Sequence, residues 1–190
     1  MISWSRNIGI LNSHLQALSV RDHKGDEIDF DAAFRRWKDM SLHVREMKKT
    51  VYLIGNGASA SMASHTSADL AKNAGFHTQV FSDLSLITSI ANDIGYRNVF
   101  AEPLRRRMLA GDMLVTISSS GQSPNILFAA EEAKRLGGLV ITLSAMEPDN
   151  SLRSQGLLNF YVPADNYGMA ETCHAAILHH WIDWVVGGKS

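Results

Sequence analysis

The sequence has little cysteine, no excess charge of either sign and no long apolar run. Its single cysteine, Cys173, excludes an internal disulfide. The 18 Lys and Arg against 19 Asp and Glu leave none of the basic excess that is typical of nucleic-acid binding. No apolar stretch reaches the roughly 18 residues of a membrane-spanning helix, and residues 1–6 lack the apolar run of a signal peptide. We therefore expect a cytoplasmic protein that binds neither nucleic acid nor membrane.

The length of 190 residues suits one α/β domain and is short for two. Apolar residues recur at helical spacing over 8–18 and again over 30–47, with a polar, glycine-containing interruption at residues 21–29. We predict a single domain over 1–190, with N-terminal helices in 1–48 and a sheet with covering helices in 49–188.

From residue 49 onwards, short apolar runs alternate with helical patterns. This alternation is typical of a doubly wound α/β sandwich, in which ligands bind beyond the carboxyl ends of the strands. The sheet is predicted to have five central parallel strands, at residues 51–54, 78–81, 113–117, 139–143 and 159–162.

Two polar loops follow predicted strands and precede predicted helices. The first, residues 55–59, reads Gly-Asn-Gly-Ala-Ser, and we call it the glycine loop. The second, residues 118–123, reads Ser-Ser-Ser-Gly-Gln-Ser, and we call it the serine loop. Backbone N–H groups at a helix N-terminus attract phosphate, and hydroxyls add donors. The alternative is that these residues only build turns and cap helices.

A dinucleotide site is the competing interpretation of the glycine loop. Gly55, Gly57 and Ala60 satisfy the G-x-G-x-x-G/A pattern, and Asp83 lies at a suitable distance beyond it. That interpretation leaves the serine loop unexplained. Neither loop has the Gly-Lys-Ser/Thr ending of a P-loop. We therefore expect no nucleotide cofactor.

Histidine and acidic residues recur at helical spacing on two predicted helices. His65 and Asp69 are four residues apart and share a face. Glu171 and His179, eight residues apart, lie within about 80° of each other around the last helix. The four side chains could be ordinary solvated or core residues, or they could form an acid–base or metal group if the two helices meet.

In order and spacing, these residues resemble the motifs of the phosphoheptose isomerases, which have the SIS (sugar isomerase) fold. The resemblance covers about residues 30–186 and includes residues 89–96, which are similar to an Asn-Asp-containing stretch beside the substrate in that family. The family implies that phosphate, hydroxyls and the sugar are bound by residues matching Asn56, Gly57, Ser59, Asp93, Ser118, Ser119, Ser120, Ser123 and Glu171.

The resemblance also implies catalytic and metal-binding roles. Asp69 matches the catalytic base, a glutamate in the family, and His179 matches its catalytic histidine. Glu171 replaces a glutamine, and Gly168 stands where the family has an aspartate. Some family members bind zinc at this place, and the corresponding set here is His65, Asp69, Glu171 and His179, with the two nitrogens and two carboxylates that suit zinc.

The activity implied by the resemblance is an aldose–ketose isomerisation. It would interconvert sedoheptulose 7-phosphate and D-glycero-D-manno-heptose 7-phosphate through an enediol, as occurs in lipopolysaccharide heptose biosynthesis. The family also implies a homo-oligomer, with a tetramer expected. Two alternatives stay open: a noncatalytic SIS module that binds a phosphosugar or a protein partner, as the DnaA initiator-associating proteins do, and an isomerase of another phosphosugar.

Overall fold

A seven-stranded sheet forms the centre of the protein. The structure, a computed structural model, describes residues 2–187. Its strands lie in the spatial order β2-β1-β7-β6-β5-β3-β4, and the five from β7 to β4 are parallel. The strands are β1 (Ser19–Asp22), β2 (Glu27–Ile28), β3 (Thr50–Gly55), β4 (His77–Val80), β5 (Met113–Ser118), β6 (Leu139–Ser144) and β7 (Leu158–Tyr161).

The five predicted parallel strands are confirmed, but the N-terminal region does not consist of helices alone, because the polar interruption at residues 21–29 contains strand residues. That segment belongs to a hairpin, because β1 pairs antiparallel with both β2 and β7. Local sequence conceals it, since Val20 is the only buried residue on β1 and β2 has two residues. The hairpin turn is held by the Asp22 carboxylate, which accepts from the backbone N–H groups of Lys24 (2.8 Å) and Asp26 (3.2 Å).

The helices cover both faces of the sheet, and two of them begin at residues typical of helix N-termini. Asp83 caps α4 by accepting from the Leu86 N–H at 2.9 Å, and Pro124 is the first residue of α6. Within the described residues, no helix has both the length and the apolar character to cross a membrane. The helices are α1 (Trp4–Gln16), α2 (Phe30–Glu46), α3 (Ala58–Ala74), α4 (Leu84–Asp93), α5 (Ala101–Arg107), α6 (Pro124–Arg135) and α7 (Tyr167–Val186), with 3-10 turns at Tyr96–Asn98 and Ser151–Ser154.

Two apolar clusters, one on each face of the sheet, form the core. Alternate residues of β3 supply them, with Val51 on one face and Tyr52 on the other. On the first face, Trp37 of α2 stacks on Trp181 of α7 with ring centroids 4.2 Å apart. The Trp181 indole N–H donates to the buried Ser41 hydroxyl at 3.0 Å. This contact fixes α7 against α2 and so orients the helix that carries part of the candidate site.

The chain reverses its direction of winding at β3. From β3 it crosses to β4 on one side, and the next strand, β5, pairs with β3 on the other. In open α/β sheets such a switch point leaves a crevice beyond the carboxyl ends of the two strands. The glycine loop follows β3 and the serine loop follows β5, so the two loops flank that crevice.

Candidate active site

The glycine and serine loops leave the sheet side by side. Their strands are in register, with Gly55 opposite Ile117. A side chain at Gly55 would not fit, because its Cβ would lie 2.6 Å from the backbone and Cβ of Ser59. The absence of a side chain at Gly55 therefore lets α3 start directly against the end of β3 and directs the first turn of α3 toward the serine loop.

The two loops enclose a polar pocket of about 140 Å³, which we call the serine pocket. Ser123 precedes α6 without capping it through its side chain, so its hydroxyl is available to a ligand. The N-termini of α3 and α6 add partial positive charge at the pocket. The lining comprises Asn56, Ser59, Ile117, Ser118, Ser119, Ser120, Ser123, Tyr167 and Glu171, which includes no Lys or Arg.

The serine loop is held from behind by the segment that follows β6. The backbone N–H of Ala145 donates to the Ser119 carbonyl, and that of Leu152 donates to the Gly121 carbonyl, both at 3.0 Å. Gly121 has φ +61°, and a Cβ there would lie 2.0 Å from Oδ1 of the buried Asn150. The loop therefore has one backbone shape, which its glycine permits and the neighbouring segment supports.

A second cluster, which we call the histidine–aspartate group, lies where α3 packs against α7. The Nε2 of His65 is 3.3 Å from Oδ2 of Asp69, and the His65 and His179 rings are 5.4 Å apart between centroids. One ligand atom from each of the three residues lies within 4.8 Å of the others. Two imidazole nitrogens and a carboxylate oxygen form a donor set that zinc accepts, with a fourth position left for water or substrate.

The histidine–aspartate group opens onto a largely apolar groove of about 260 Å³ between the two helices. The His65 side chain is 62% exposed and that of Asp69 is 25% exposed. His65 and His179 line the groove, whereas Asp69 lies beside His65 and is absent from the lining. The groove is lined by Ser61, Met62, His65, Thr66, Ala175, Leu178 and His179.

The structure does not bring all the predicted site residues together. Glu171 lines the serine pocket, and its separation of eight positions from His179 corresponds to about 12 Å along α7. Three of the four predicted metal ligands thus form one group, and Glu171 lies outside it. Asp93 is exposed at the end of α4, where its carboxylate accepts from the Asn92 amide at 2.9 Å. Gly57 precedes α3 and is exposed, without lining the serine pocket.

Two tyrosines near the serine pocket were not expected from the sequence. Tyr167, the first residue of α7, lines the pocket. The Tyr96 hydroxyl donates to Oδ1 of Asn56 at 3.4 Å. Tyr96 ends the Asn-Asp-containing stretch, which is the sequence signal that could have indicated it. No comparable signal marks Tyr167, because its position depends on how α7 enters the domain.

His174 is the buried histidine of α7. It is fully buried, and neither ring nitrogen meets a hydrogen-bond partner among the described residues. Burial lowers the pKa of His174 to about 4, and the nearby Ser144 backbone offsets part of that shift. The ring is therefore neutral at physiological pH and belongs to the core, as its divergent direction from Glu171 and His179 indicates.

Comparison of the amino-acid sequence with known proteins identifies the family of this chain. The family model described as SIS domain matches residues 31–145. The phosphoheptose isomerase of Helicobacter pylori (strain Shi470) is 31% identical over 150 residues, which are 76% of this chain and 78% of that protein. The chain belongs to the phosphoheptose isomerase family of SIS-domain proteins. The enzyme of that name from Sulfurimonas denitrificans is 35% identical over 138 residues, which are 70% of each chain.

A solved structure of the family extends the likeness to nearly the whole fold. The phosphoheptose isomerase from Francisella tularensis is 26% identical, with a TM-score of 0.72, over 97% of this chain and 98% of that one. The SIS-type fold predicted from the sequence is confirmed.

Proposed function

We propose that this protein is an aldose–ketose isomerase that interconverts sedoheptulose 7-phosphate and D-glycero-D-manno-heptose 7-phosphate through an enediol. The observation that carries the proposal is the serine pocket, which lies at the switch point of a sheet belonging to the phosphoheptose isomerase family. Ketose isomerisation needs a group that binds the sugar and an acid–base pair near its carbonyl.

The serine pocket binds the phosphate end of the substrate. The hydroxyls of Ser118, Ser119, Ser120 and Ser123 donate to phosphate oxygens, and the N-termini of α3 and α6 favour the negative charge. Binding at this remote end fixes the sugar for the proton transfer. Glu171 is the one carboxylate in the lining, and it accepts hydrogen bonds from the sugar hydroxyls.

The histidine–aspartate group acts at the carbonyl end. Asp69 removes the proton from the carbon next to the carbonyl, and His179 transfers a proton at the adjacent oxygen. Along α3 and α7, the members of this group lie about 9 to 15 Å beyond the serine pocket, counted from Ser59 to His65 and Asp69 and from Glu171 to His179. Such an elongated site suits a ketose whose phosphate and carbonyl are at opposite ends of a seven-carbon chain.

The same group could hold a divalent metal ion. His65, Asp69 and His179 together supply the two nitrogens and one oxygen that zinc prefers, and their ligand atoms are close enough to share an ion. When bound, zinc acts as a Lewis acid that polarises a carbonyl oxygen. His65 has the further task of orienting the Asp69 carboxylate, to which it is adjacent.

We also propose a homo-oligomer, with a tetramer expected. Trp4 and Ile8 of α1 are 75% and 42% exposed, although Leu11 and Leu15 of the same helix pack on the core. The His65 side chain is exposed, and acid–base chemistry is more effective where water is excluded, so we expect another surface to bury it. A second copy of the chain, packed on the α3–α7 groove, would supply that surface.

One departure from the family favours a second candidate, an isomerase of another phosphosugar. The family's aspartate is replaced by Gly168, where an added Cβ would meet only Asn166 Oδ1, at 3.6 Å. An aspartate would therefore fit at this position. If the missing carboxylate determines specificity, Gly168→Asp shifts the ratio of kcat/KM between substrates toward sedoheptulose 7-phosphate.

An isomerase assay with purified protein tests the proposal. Conversion of sedoheptulose 7-phosphate, with and without a chelator, measures the activity and its dependence on metal. Faster turnover of another sugar in a panel of shorter ketose phosphates would favour the second candidate, an isomerase of another phosphosugar. Absence of turnover on every sugar would favour the noncatalytic alternative. We place the activity in the cytoplasm, whose reducing conditions suit the buried free thiol of Cys173.

A further inference from the structure

Two asparagines, one from the glycine loop and one from the first turn of α6, form a closed pair beside the serine pocket. The Asn56 amide donates to Oδ1 of Asn125 at 3.0 Å, and the Asn125 amide donates to Oδ1 of Asn56 at 2.9 Å. Asn56 belongs to the glycine loop and lines the pocket. Asn125 is the second residue of α6, directly behind the serine loop, and is only 2% exposed. The pair therefore joins the glycine loop to the helix that follows the serine loop, across the switch point.

The pair determines what Asn56 can offer to a ligand. Its Oδ1 accepts from both Asn125 and the Tyr96 hydroxyl, so both lone pairs are engaged. One of its two N–H groups donates to Asn125. A single N–H of Asn56 remains, and it suits an oxygen acceptor such as a phosphate, hydroxyl or carbonyl oxygen of the bound sugar.

We propose that Asn125 is a positioning residue, which acts on the substrate through Asn56 without touching it. Asn125 is absent from the lining of the serine pocket. Its two hydrogen bonds fix the amide plane of Asn56 before the ligand binds, which saves the cost of ordering that side chain on binding. The inference rests on the proposed function, because it assigns Asn56 to the binding of a phosphosugar.

A double-mutant cycle tests this coupling. Asn125→Ala is expected to raise the KM for sedoheptulose 7-phosphate about tenfold, the effect of losing one or two hydrogen bonds that position a donor, and to change kcat less. Asn125→Asp loses the donor to Asn56 and adds a buried carboxylate whose charge repels the phosphate, so we expect a rise in KM at least as large. If Asn125 acts through Asn56, the double variant Asn56→Ala/Asn125→Ala has the same KM as the single variant Asn56→Ala. Independent, multiplying effects of the two substitutions would overturn the inference.

A matched control separates positioning from stability. Asn159 is also fully buried and hydrogen-bonded, to Thr142, Gly156 and the β1 backbone, but it is absent from the pocket lining. Asn159→Ser should lower stability in urea without changing KM. If Asn125→Ala only lowers stability in the same way, with KM unchanged, the positioning role is wrong.

The cycle is repeated with the dissociation constant of inorganic phosphate, measured by calorimetry. Wild-type protein that turns over no sugar contradicts the proposed function; coupling between Asn56 and Asn125 in phosphate binding would then still support the inference. Turnover by the wild type without coupling in either measurement contradicts the inference alone. If the wild type shows neither turnover nor coupling, both are wrong.

Discussion

The Nε2 of His65 lies 3.3 Å from Oδ2 of Asp69, one turn further along α3. The histidine side chain is 62% exposed, whereas that of the aspartate is 25% exposed. His179 of α7 completes the group from the other side. Asp69 is thus the most enclosed of the three residues, which suits a base or a metal-binding carboxylate.

Asp69→Asn is expected to abolish isomerisation, because an amide cannot accept the substrate proton. It should also lower the zinc content of protein purified without chelator, since it removes one of three ligands. Metal is measured by mass spectrometry and activity with sedoheptulose 7-phosphate. Glu131→Gln, an exposed carboxylate of α6, serves as the control and should change neither. An active Asp69→Asn protein would disprove the assignment of the base.

Replacing serines of the serine pocket should weaken substrate binding. Ser120→Ala or Ser123→Ala each removes a donor to phosphate, and we expect KM to rise about three- to tenfold per hydroxyl. Ser154→Ala removes an exposed serine that bonds only to its own 3-10 turn and is the control. Unchanged kinetics in both serine-loop variants would show that phosphate is bound elsewhere.

Glu171→Gln should improve the binding of phosphorylated sugars. The serine pocket has no Lys or Arg in its lining, so the carboxylate repels a phosphate dianion held among the same residues. Removing its charge should lower KM several-fold at low salt and less at high salt, which screens the repulsion. Zinc content should be unchanged, because Glu171 lies outside the histidine–aspartate group. Loss of zinc in this variant would instead make Glu171 a fourth ligand.

The placement of the serine pocket could be predicted because its determinants are local. The loops at residues 55–59 and 118–123 follow apolar strands, and parallel strands end at one edge of a sheet. Helix periodicity could also align His65 with Asp69. For Glu171 and His179 it gives an angular difference of about 80° and a separation of about 12 Å along α7, but not which neighbouring element each side chain meets.

Features that depend on distant partners could not be predicted. The β1–β2 hairpin owes its place to pairing with β7, almost the whole chain away. Asn125 pairs with Asn56, 69 residues earlier, and nothing in its own neighbourhood indicates that partner. In each case, tertiary contacts determine the structure, and the local sequence gives little indication of the partner.

The exposed N-terminal part of the apolar stripe of α1 should contribute to the assembly of the protein. Trp4 and Ile8 lie on the same side of this helix as Leu11 and Leu15, which pack on the core. Trp4→Glu or Ile8→Glu places a charge on an exposed apolar face and should reduce the mass measured by light scattering at micromolar concentration. Ser13→Glu, on the opposite side of the same helix, is the control and should leave the mass unchanged. A wild-type protein that is monomeric at this concentration would contradict the proposed oligomer.

His174 should make stability depend on pH between about 4 and 6.5. Its pKa is lowered to about 4 in the folded protein by burial, whereas an unfolded histidine titrates near 6.5. Between these values the unfolded chain binds the extra proton, so the free energy of unfolding falls as the pH falls. Stability from this residue is fully present above the unfolded pKa and declines by roughly 2 kcal/mol between pH 7 and pH 5.

The contribution of His174 is isolated by comparison with His174→Gln, which has no charge to gain. Urea unfolding of both proteins at pH 7 and pH 5 should give a loss of stability that is about 2 kcal/mol larger for the wild type. All other residues are the same in the two proteins, so their contributions cancel in the difference. His14→Gln, at a partly exposed position on α1, is the matched control and should keep the pH dependence of the wild type. Equal losses in wild type and His174→Gln would mean that His174 titrates normally in the folded protein, and so that water reaches the ring.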